Sequence, residues 1–356
     1  GLGFPAMAAV VAGMIIQCTP VSFGALGTPI LVGVQTGLTG DAAVADWGIA
    51  QGFVQNDGSF DSHALMFQIG WRVAFLHAVT GALIPLIMVS LLTRFFGPDR
   101  SLRQGLKCWR FAIASSFAMT VPYFLVARFL GPEFPSLLGS LVGLAIMVTV
   151  ARRGWLMPDK EKPWGFGVPE KWEPEWKGLV EIKDQPASET NPMVLWKAWI
   201  PYLLVAVLLV LTRLKFLPIV GWLRSVKLEW TQIFGSQIAA SVEPLYLPGT
   251  IFIIVSLSTF FLHEMNWKSY RQAWGRSVGT VIRASVALIF TVPMVQIFLN
   301  SHEGLAGFAK MPNALAEGIA QIAGGTWPLF APLIGGFGAF VAGSNTVSNM
   351  TFSLFQ

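Results

Sequence analysis

An apolar run near the amino terminus, residues 4–34, is interrupted by the stretch Thr19-Pro20-Val21-Ser22-Phe23-Gly24-Ala25-Leu26-Gly27-Thr28-Pro29. Each proline removes a backbone hydrogen bond from a helix, and each glycine loosens the backbone. One regular helix therefore cannot extend through this stretch. The sequence predicts two half-helices or a helical hairpin here.

A second apolar run near the carboxyl terminus, residues 327–356, is glycine-rich and is interrupted by Gly343-Ser344-Asn345-Thr346-Val347-Ser348-Asn349. It is also predicted to be a broken helix. Two broken segments in corresponding places are typical of transporters built from inverted repeats, whose half-helix ends meet near the bilayer midplane. The predicted fold is an all-α polytopic membrane protein with inverted repeats and two broken helices or helical hairpins that meet near the midplane.

The composition supports a membrane protein. Of the 356 residues, 54% are hydrophobic and 12% are charged, whereas about 25% are charged in an average soluble domain. Several apolar runs approach or exceed the roughly 20 residues that cross a bilayer. The basic residues collect in short stretches between these runs, which argues against a nucleic-acid-binding face. Two distant cysteines, Cys18 and Cys108, provide neither a disulfide framework nor a CxxC metal site.

The other predicted spans are residues 67–92, 111–130, 134–150, 193–211, 245–262 and 278–299. The positive-inside rule places three basic stretches in the cytoplasm: residues 94–110, residues 152–197, and the loop that carries Lys268, Arg271 and Arg276. Residues 152–197 are expected to form a loosely ordered connector. Residues 36–61 are acidic without a basic residue, which favours a non-cytoplasmic or partly re-entrant connection.

One basic region conflicts with the alternation of the spans. Residues 213–244 carry basic side chains on the side that alternation assigns to the outside. Two interpretations remain open: the region lies along the interface as an amphipathic helix, or one of the spans is re-entrant.

The repeats divide the chain into a first-repeat portion, residues 1–150, a cytoplasmic connector, residues 151–193, and a second-repeat portion, residues 194–356. The chain opens at Gly1 inside an apolar run without an initiating methionine, and it stops at Gln356 in mid-pattern. We therefore expect a fragment of a longer protein, with the first repeat truncated at its amino terminus and the second at its carboxyl terminus.

The broken segments carry groups that can bind a carboxylate. Hydroxyls, amides and free backbone N–H groups at helix N-termini bind such an anion without a full counter-charge. The candidate substrate-binding residues are Thr19, Ser22, Gly24 and Gly27 in the first segment, and Ser344, Asn345, Thr346, Ser348 and Asn349 in the second. The alternative is that these are packing motifs, because small and hydroxyl-bearing residues are common at helix interfaces in lipid. Two asparagines in an apolar span are costly to bury, which favours binding for the second segment.

A few ionisable residues lie within or beside the predicted spans. Arg72 is a further candidate for substrate binding, because a guanidinium pairs with a carboxylate in a fork geometry. His77 titrates near neutral pH. The alternative is that both lie at the outer end of their span, with Arg72 snorkelling to water. Arg283 is interpreted as a snorkelling side chain, and Glu243 is a remaining candidate for proton binding.

Three motifs carry a family resemblance. They are Gln17-Cys18-Thr19-Pro20-Val21-Ser22-Phe23-Gly24-Ala25-Leu26-Gly27-Thr28-Pro29-Ile30, Gly338-Ala339-Phe340-Val341-Ala342-Gly343-Ser344-Asn345-Thr346-Val347-Ser348-Asn349, and the weaker Phe129-Leu130-Gly131-Pro132-Glu133-Phe134-Pro135. In order and spacing they resemble the L-lactate permease family over nearly the whole chain. The resemblance implies a multi-pass permease of the bacterial inner membrane that imports L-lactate or a related 2-hydroxy monocarboxylate, glycolate or D-lactate, by proton symport.

The sequence departs from the family pattern at Asn345, where the family usually has aspartate. An asparagine cannot titrate, so the resemblance leaves the proton carrier unassigned. The triplet Ser344-Asn345-Thr346 is also similar to the motif of sodium-coupled dicarboxylate transporters in the wider ion-transporter superfamily. Sodium coupling therefore remains an alternative, as does a passive channel subunit.

The expected partners are a small carboxylate, protons or else sodium, and the lipid bilayer. No nucleic acid, cofactor or bound metal is expected. A membrane-embedded enzyme is disfavoured, because the four histidines fall in no recognisable catalytic motif. The sequence allows a homo-oligomer but does not fix the oligomeric state.

Overall fold

The computed structural model describes residues 4–157, 165–168, 170, 172–177, 194–214, 217–235, 240–301 and 307–356. Most of the predicted connector and the first residue of the predicted span 193–211 lie outside this part of the chain. Within it, four helices are long and apolar enough to cross a membrane, and a bent pair raises the number to five. The chain is a multi-pass membrane protein.

The amino-terminal half is helical. Its helices are α1 (Ala6–Ile16), α2 (Gly24–Thr28), α3 (Gln35–Leu38), α4 (Ala42–Ala50), α5 (Ser62–Gly81), α6 (Ile84–Phe96), α7 (Leu102–Leu106), α8 (Trp109–Phe129), α9 (Pro135–Arg152) and α10 (Pro174–Lys177). A 3-10 turn, Val21–Phe23, precedes α2, and a π-helical stretch, Pro29–Val34, joins α2 to α3.

The chain then continues through α11 (Leu195–Leu211), α12 (Ile219–Ser225), β1 (Leu228–Trp230), β2 (Ala240–Val242), α13 (Pro248–Leu262), α14 (Trp267–Leu299), α15 (Met311–Ala323), α16 (Trp327–Ala342) and α17 (Asn345–Phe352). Short 3-10 turns lie at Ile233–Gly235, Pro244–Tyr246 and Gly324–Thr326. The chain forms two compact units, one of Gly1–Lys183 with Thr291–Gln356 and the other of Asp184–Phe290.

The chain is predominantly helical, as predicted, and the described residues add one short pair of strands. Strands β1 and β2 pair antiparallel, with Leu228 opposite Val242 and Trp230 opposite Ala240. Apolar and charged residues alternate from Lys227 to Trp230, which is the period of a strand. The described part of residues 213–244 holds the short α12 and this hairpin rather than one amphipathic helix. The alternative that one of the spans is re-entrant stays a prediction.

The prediction of a loop before the span 278–299 is wrong. Residues from Trp267 onward belong to α14, a helix of 33 residues that includes Lys268, Arg271 and Arg276. The side chain of Asn266 accepts a hydrogen bond from the Lys268 N–H at 2.9 Å, which caps the helix start. No proline interrupts the helix before Pro293, and lysine and arginine are good helix formers. The basic stretch is thus the first part of the helix.

The predicted span 67–92 consists of two helices. Helices α5 and α6 are bent by 40° at a break of two residues. A Cβ atom added at Gly81 would lie 2.7 Å from Cγ2 of Thr19, so the close approach of Thr19 requires glycine at the end of α5. Pro85 lies in the first turn of α6, where the missing N–H costs nothing. The bend depends on this tertiary contact, which a hydropathy window does not contain.

The polar connection of residues 36–61 is folded. Asp41 caps α4, with its Oδ1 accepting from the N–H groups of Ala43 and Val44, and Asp61 caps α5 by accepting from the Ala64 N–H at 3.0 Å. Asp57 accepts from the backbone and hydroxyl of Ser59, and these hydrogen bonds lower the pKa of its carboxyl below the ordinary value. Three of the four aspartates thus have local structural roles.

The described part of the connector is not loosely ordered. Phe166 is buried beside Ala8, Leu92 and Phe96, and the ring of Trp176 lies edge-on to Phe96 at 5.4 Å. Burying aromatic rings contributes much apolar area. The aromatic residues of this stretch therefore hold it against α1 and α6.

The central core forms around α5, α8 and α9. Helices α8 and α9 are a close antiparallel pair joined by residues 130–134, and they correspond to the predicted spans 111–130 and 134–150. Gly139 allows the backbone of α9 to approach Tyr123, because an added Cβ would lie 2.9 Å from the Tyr123 Cα. Tyr123, Phe23, Ile30 and Met66 are fully buried. This core fixes the position of the first broken segment.

Candidate substrate site at the broken helices

The first broken segment, Ala6–Leu38, is interrupted as the sequence predicts. Helix α1 ends at Ile16, and Leu26 and Gly27 have φ angles of 62° and 73°. This left-handed backbone is costly for a residue other than glycine. The segment consequently changes direction before the π-helical stretch, and π-helical turns are frequent at functional sites.

Gly27 is the contact point between this segment and the third motif of the sequence. A Cβ atom added to Gly27 would lie 2.2 Å from the carbonyl oxygen of Pro132. Backbone atoms approach here with no room for a side chain. Gly27 therefore has a packing role in the described structure, and it joins the first broken segment to the turn between α8 and α9.

We expect Gly27→Ala to destabilise the protein by about 2 kcal/mol or more, because it combines a positive φ with a backbone clash. The measurement is the thermal unfolding midpoint of the purified protein. Gly13→Ala is the matched control, since a Cβ at Gly13 meets nothing within 4 Å. Equal midpoints for the two variants would contradict the assigned contact.

The second broken segment, Trp327–Gln356, is a helical hairpin. Helix α16 ends at Ala342, Gly343 adopts φ 63°, and α17 folds back along α16. The Ser348 hydroxyl donates to the Gly335 carbonyl oxygen at 3.0 Å, and the Gln356 side chain donates to the Ala331 carbonyl oxygen at 3.0 Å. Ser348 is buried, so this hydroxyl fastens the two arms.

The two broken segments pack against each other. The Asn349 side-chain N–H donates to the Pro29 carbonyl oxygen at 3.0 Å. A Cβ at Gly33 would lie 2.7 Å from the Thr346 carbonyl oxygen, and a Cβ at Gly37 would lie 2.9 Å from the Met350 carbonyl oxygen. The π-helical stretch and α17 therefore run side by side in the same direction. Their breaks lie at the same end of this pair, and the Val21–Phe23 turn also contacts α17.

The start of α17 retains free hydrogen-bonding groups. The Ser344 hydroxyl accepts from the Val347 N–H at 3.4 Å, and the Ser344 carbonyl oxygen accepts from the Ser348 N–H. Within the described residues, the backbone N–H groups and the side chains of Asn345 and Thr346 have no hydrogen-bond partner. Both side chains are half-buried. A helix N-terminus with free donors attracts an anion.

A polar cluster lies beside the first break. His77 contacts the Ser22 hydroxyl through Nε2 at 3.3 Å and the Tyr123 hydroxyl through Nδ1 at 2.9 Å. The ring of Phe23 lies edge-on to both His77 and Tyr123. Thr19 is 4% exposed, and its hydroxyl has no partner among the described residues. A buried unpaired hydroxyl costs free energy, so Thr19 is a candidate for a ligand contact.

A family model for the L-lactate permeases matches residues 1–356 of the chain. The chain belongs to the L-lactate permease family. The resemblance drawn from the three motifs is therefore confirmed.

Curated relatives agree with this family assignment. The chain is 26% identical to a Haemophilus influenzae protein whose name assigns it provisionally to the L-lactate permeases, with 100% of the chain and 60% of the relative covered. It is 23% identical to the L-lactate permease of Bacillus subtilis, covering 60% of it, and 24% identical to the glycolate permease GlcA of Escherichia coli, covering 59% of it; both matches include the whole chain. The chain thus spans about 60% of the length of these relatives. No solved structure gave a significant match.

These relatives are named as permeases. Their names support a transporter and give no support to the alternative of a membrane-embedded enzyme. Within this family member, the structure brings together most of the candidate residues. Ser22 and Thr19 lie at the first break, and Ser344, Asn345 and Thr346 lie at the second; Ser348 and Asn349 hold the segments in place.

Two candidate substrate-binding residues, Arg72 and Gly24, are exposed. Arg72 is exposed, donates to the backbone and side-chain oxygens of Gln68, and lies over the ring of Trp71 at 4.8 Å. Its guanidinium is therefore engaged on its own helix, and the structure does not bring it to the breaks. Gly24 is exposed, and an added Cβ would meet nothing within 4 Å, so open space lies beside the backbone there.

Two further ionisable residues lie in the other compact unit. Glu243 pairs with Arg224 at 3.6 Å, and the guanidinium of Arg224 lies over the ring of Tyr246. This carboxylate has a structural partner, which weakens its candidacy for proton binding. Arg283 is exposed on α14.

The sequence did not reveal that Tyr123 belongs to the polar cluster. A signal was present, since Tyr123 is one of four tyrosines in the chain and lies within an apolar span. A buried tyrosine hydroxyl usually finds a hydrogen-bond partner. The identity of that partner depends on the packing of α8 against α5, which the sequence alone does not give.

Proposed function

We propose that this chain forms the transport core of a secondary transporter that imports L-lactate or a related 2-hydroxy monocarboxylate, glycolate or D-lactate, by proton symport across the bacterial inner membrane. The observation that carries the proposal is the junction of the two broken segments. There, the free donors of Asn345 and Thr346 lie at the start of α17, at the same end as the first break. The names of the relatives support the substrate class.

The junction fits a monocarboxylate for physical reasons. Backbone N–H groups and the helix dipole stabilise one negative charge without a salt bridge. The amide of Asn345 and the hydroxyl of Thr346 add donors for the carboxylate and the 2-hydroxyl group. A site without a full counter-charge also allows release, which transport requires. Gly24 leaves space for the substrate to approach the backbone at the first break.

The repeat organisation remains part of the proposal. We propose that residues 1–150 are a portion of the first of two inverted repeats, that residues 194–356 are a portion of the second, and that residues 151–193 connect them. Transport then follows from motion of one bundle against the rest around the junction. Glycines at positions 33 and 37 make the contact between the segments a backbone contact, which keeps the two breaks together during such motion.

The test uses the whole protein in proteoliposomes with labelled L-lactate. We expect an imposed inward proton gradient to drive accumulation, and a sodium gradient alone to drive none. Accumulation driven only by sodium would replace proton symport with the sodium-coupled alternative. Equilibration without accumulation under either gradient would support the passive channel. A failure to take up lactate, glycolate and D-lactate would contradict the proposed substrate class.

A further inference from the structure

We propose that His77 carries the coupling proton, held between the hydroxyls of Ser22 and Tyr123 beside the substrate junction. This inference rests on the proposed function and assigns the proton carrier that the asparagine at position 345 leaves open. An ionisable side chain inside a membrane span is a functional candidate when it has polar partners within the protein. His77 is such a residue, since it is half-buried and contacts a hydroxyl through each ring nitrogen.

The two hydroxyl partners suit both protonation states of the ring. A neutral imidazole donates from one nitrogen and accepts at the other, whereas an imidazolium donates from both. Each hydroxyl can donate or accept by rotating its O–H bond. Ser22 and Tyr123 can therefore stay in place while the ring gains or loses its proton. Phe23 packs against both rings and restricts the access of water to them.

The elements packed against α5 carry a few other ionisable groups. Glu133 lies in the turn between α8 and α9, whose Pro132 meets α5 at Gly70, about two helical turns from His77. Tyr123 faces His77 from α8. The other ionisable residues of that helix are Arg110 and Arg128, near its two ends. The guanidinium of Arg110 lies over Trp109, and that of Arg128 lies over Trp71 and Phe129. In α6 the ionisable residue is Arg94, which donates to the Arg100 carbonyl oxygen. The stretch 21–38 and helix α17 contain no acidic, basic or histidine residue. On α5 itself, Arg72 is engaged by Gln68 and Trp71.

The proton site connects to the substrate site through one turn of chain. Ser22 belongs to the Val21–Phe23 turn, which contacts α17, and the Thr19 backbone lies beside the His77 ring. A charge on the imidazole would favour a carboxylate at the adjoining break by electrostatic attraction. Loss of the proton would remove this attraction and favour release. Binding of the proton and of the anion would thus be coupled, as symport requires.

The test separates proton coupling from substrate binding. In proteoliposomes, the His77→Gln variant of the whole protein is expected to lose proton-driven accumulation of L-lactate. Because the variant also lacks the attraction of the charged imidazole for the anion, counterflow is measured at saturating L-lactate, where exchange needs no net proton movement and is expected to be retained. His63→Gln is the matched control, because His63 lies exposed on the same helix. It is expected to behave as the wild type in both assays. Retained counterflow also shows that the His77→Gln protein is folded.

Each other result overturns the inference. Proton-driven accumulation by His77→Gln at the wild-type level would show that another group carries the proton, while the proposed function would stand. Loss of counterflow as well would assign His77 to substrate binding or folding instead. Absence of proton-driven uptake in the wild type would remove the proposed function and this inference together.

A second variant tests the role of the hydroxyl without removing the imidazole. Tyr123→Phe is expected to retain accumulation and to shift the pH midpoint of uptake by about 0.5 to 1 unit, because the ring loses one hydrogen-bond partner. An unchanged midpoint would contradict the pairing of Tyr123 with a proton-carrying His77.

Discussion

Gly33→Leu is expected to abolish lactate uptake and to lower the thermal stability of the protein. A Cβ atom at this position would lie 2.7 Å from the Thr346 carbonyl oxygen and 2.9 Å from Cβ of Asn349. Backbone atoms of α17 cannot give way as a flexible side chain can. Overpacking of this kind typically costs about 1–3 kcal/mol, and here it would also separate the two breaks. The measurements are gradient-driven uptake and the thermal unfolding midpoint.

Gly13→Leu provides the matched control for this experiment. It places the same side chain on α1, where a Cβ meets nothing within 4 Å. We expect it to retain uptake and stability. Gly33→Ala should have an intermediate effect, since it adds only the clashing Cβ. Wild-type uptake by Gly33→Leu would mean that the two broken segments are not in contact in the working protein.

Asn345→Ala is expected to reduce the efficiency of lactate uptake by about ten- to a hundred-fold, since hydrogen bonds to a charged group contribute roughly 1.5–3 kcal/mol. The side chain of Asn345 is half-buried and unpaired within the described residues, so its removal should leave stability unchanged. The measurement is the concentration dependence of uptake, with the unfolding midpoint recorded in parallel.

Two further variants sharpen this prediction. Asn56→Ala removes an exposed amide in the polar connection and is expected to have no effect on uptake. Asn345→Asp exchanges the amide for a carboxyl, and is expected to retain uptake at low pH, where the carboxyl is protonated and can still donate. Unchanged uptake by Asn345→Ala would exclude the start of α17 as the carboxylate site.

The broken helices could be predicted from the sequence because their causes are local. Pro20, Pro29, Gly27 and Gly343 act on the backbone of their own segments, and the structure shows interruptions in both places. The close pair of α8 and α9 was predictable for the same reason, since its short connection lies between two apolar runs.

Other features depend on contacts between distant parts of the chain. The bend between α5 and α6 follows from the packing of Thr19 on Gly81, and the partner of His77 is a tyrosine 46 residues away. Arg72 was a candidate for substrate binding because a guanidinium pairs with a carboxylate in a fork geometry. Its long side chain instead reaches the amide of Gln68, one turn away on the same helix.

The location of the substrate is tested most directly by ligand protection of a single cysteine. Thr346→Cys, in the whole protein with Cys18, Cys108 and any other cysteine replaced, would be labelled with a maleimide with and without L-lactate. Ser59→Cys in the exposed polar connection is the control. We predict that L-lactate and glycolate slow the labelling at position 346 and leave that at position 59 unchanged. Equal labelling at position 346 with and without saturating L-lactate would contradict binding at the junction of the two broken helices.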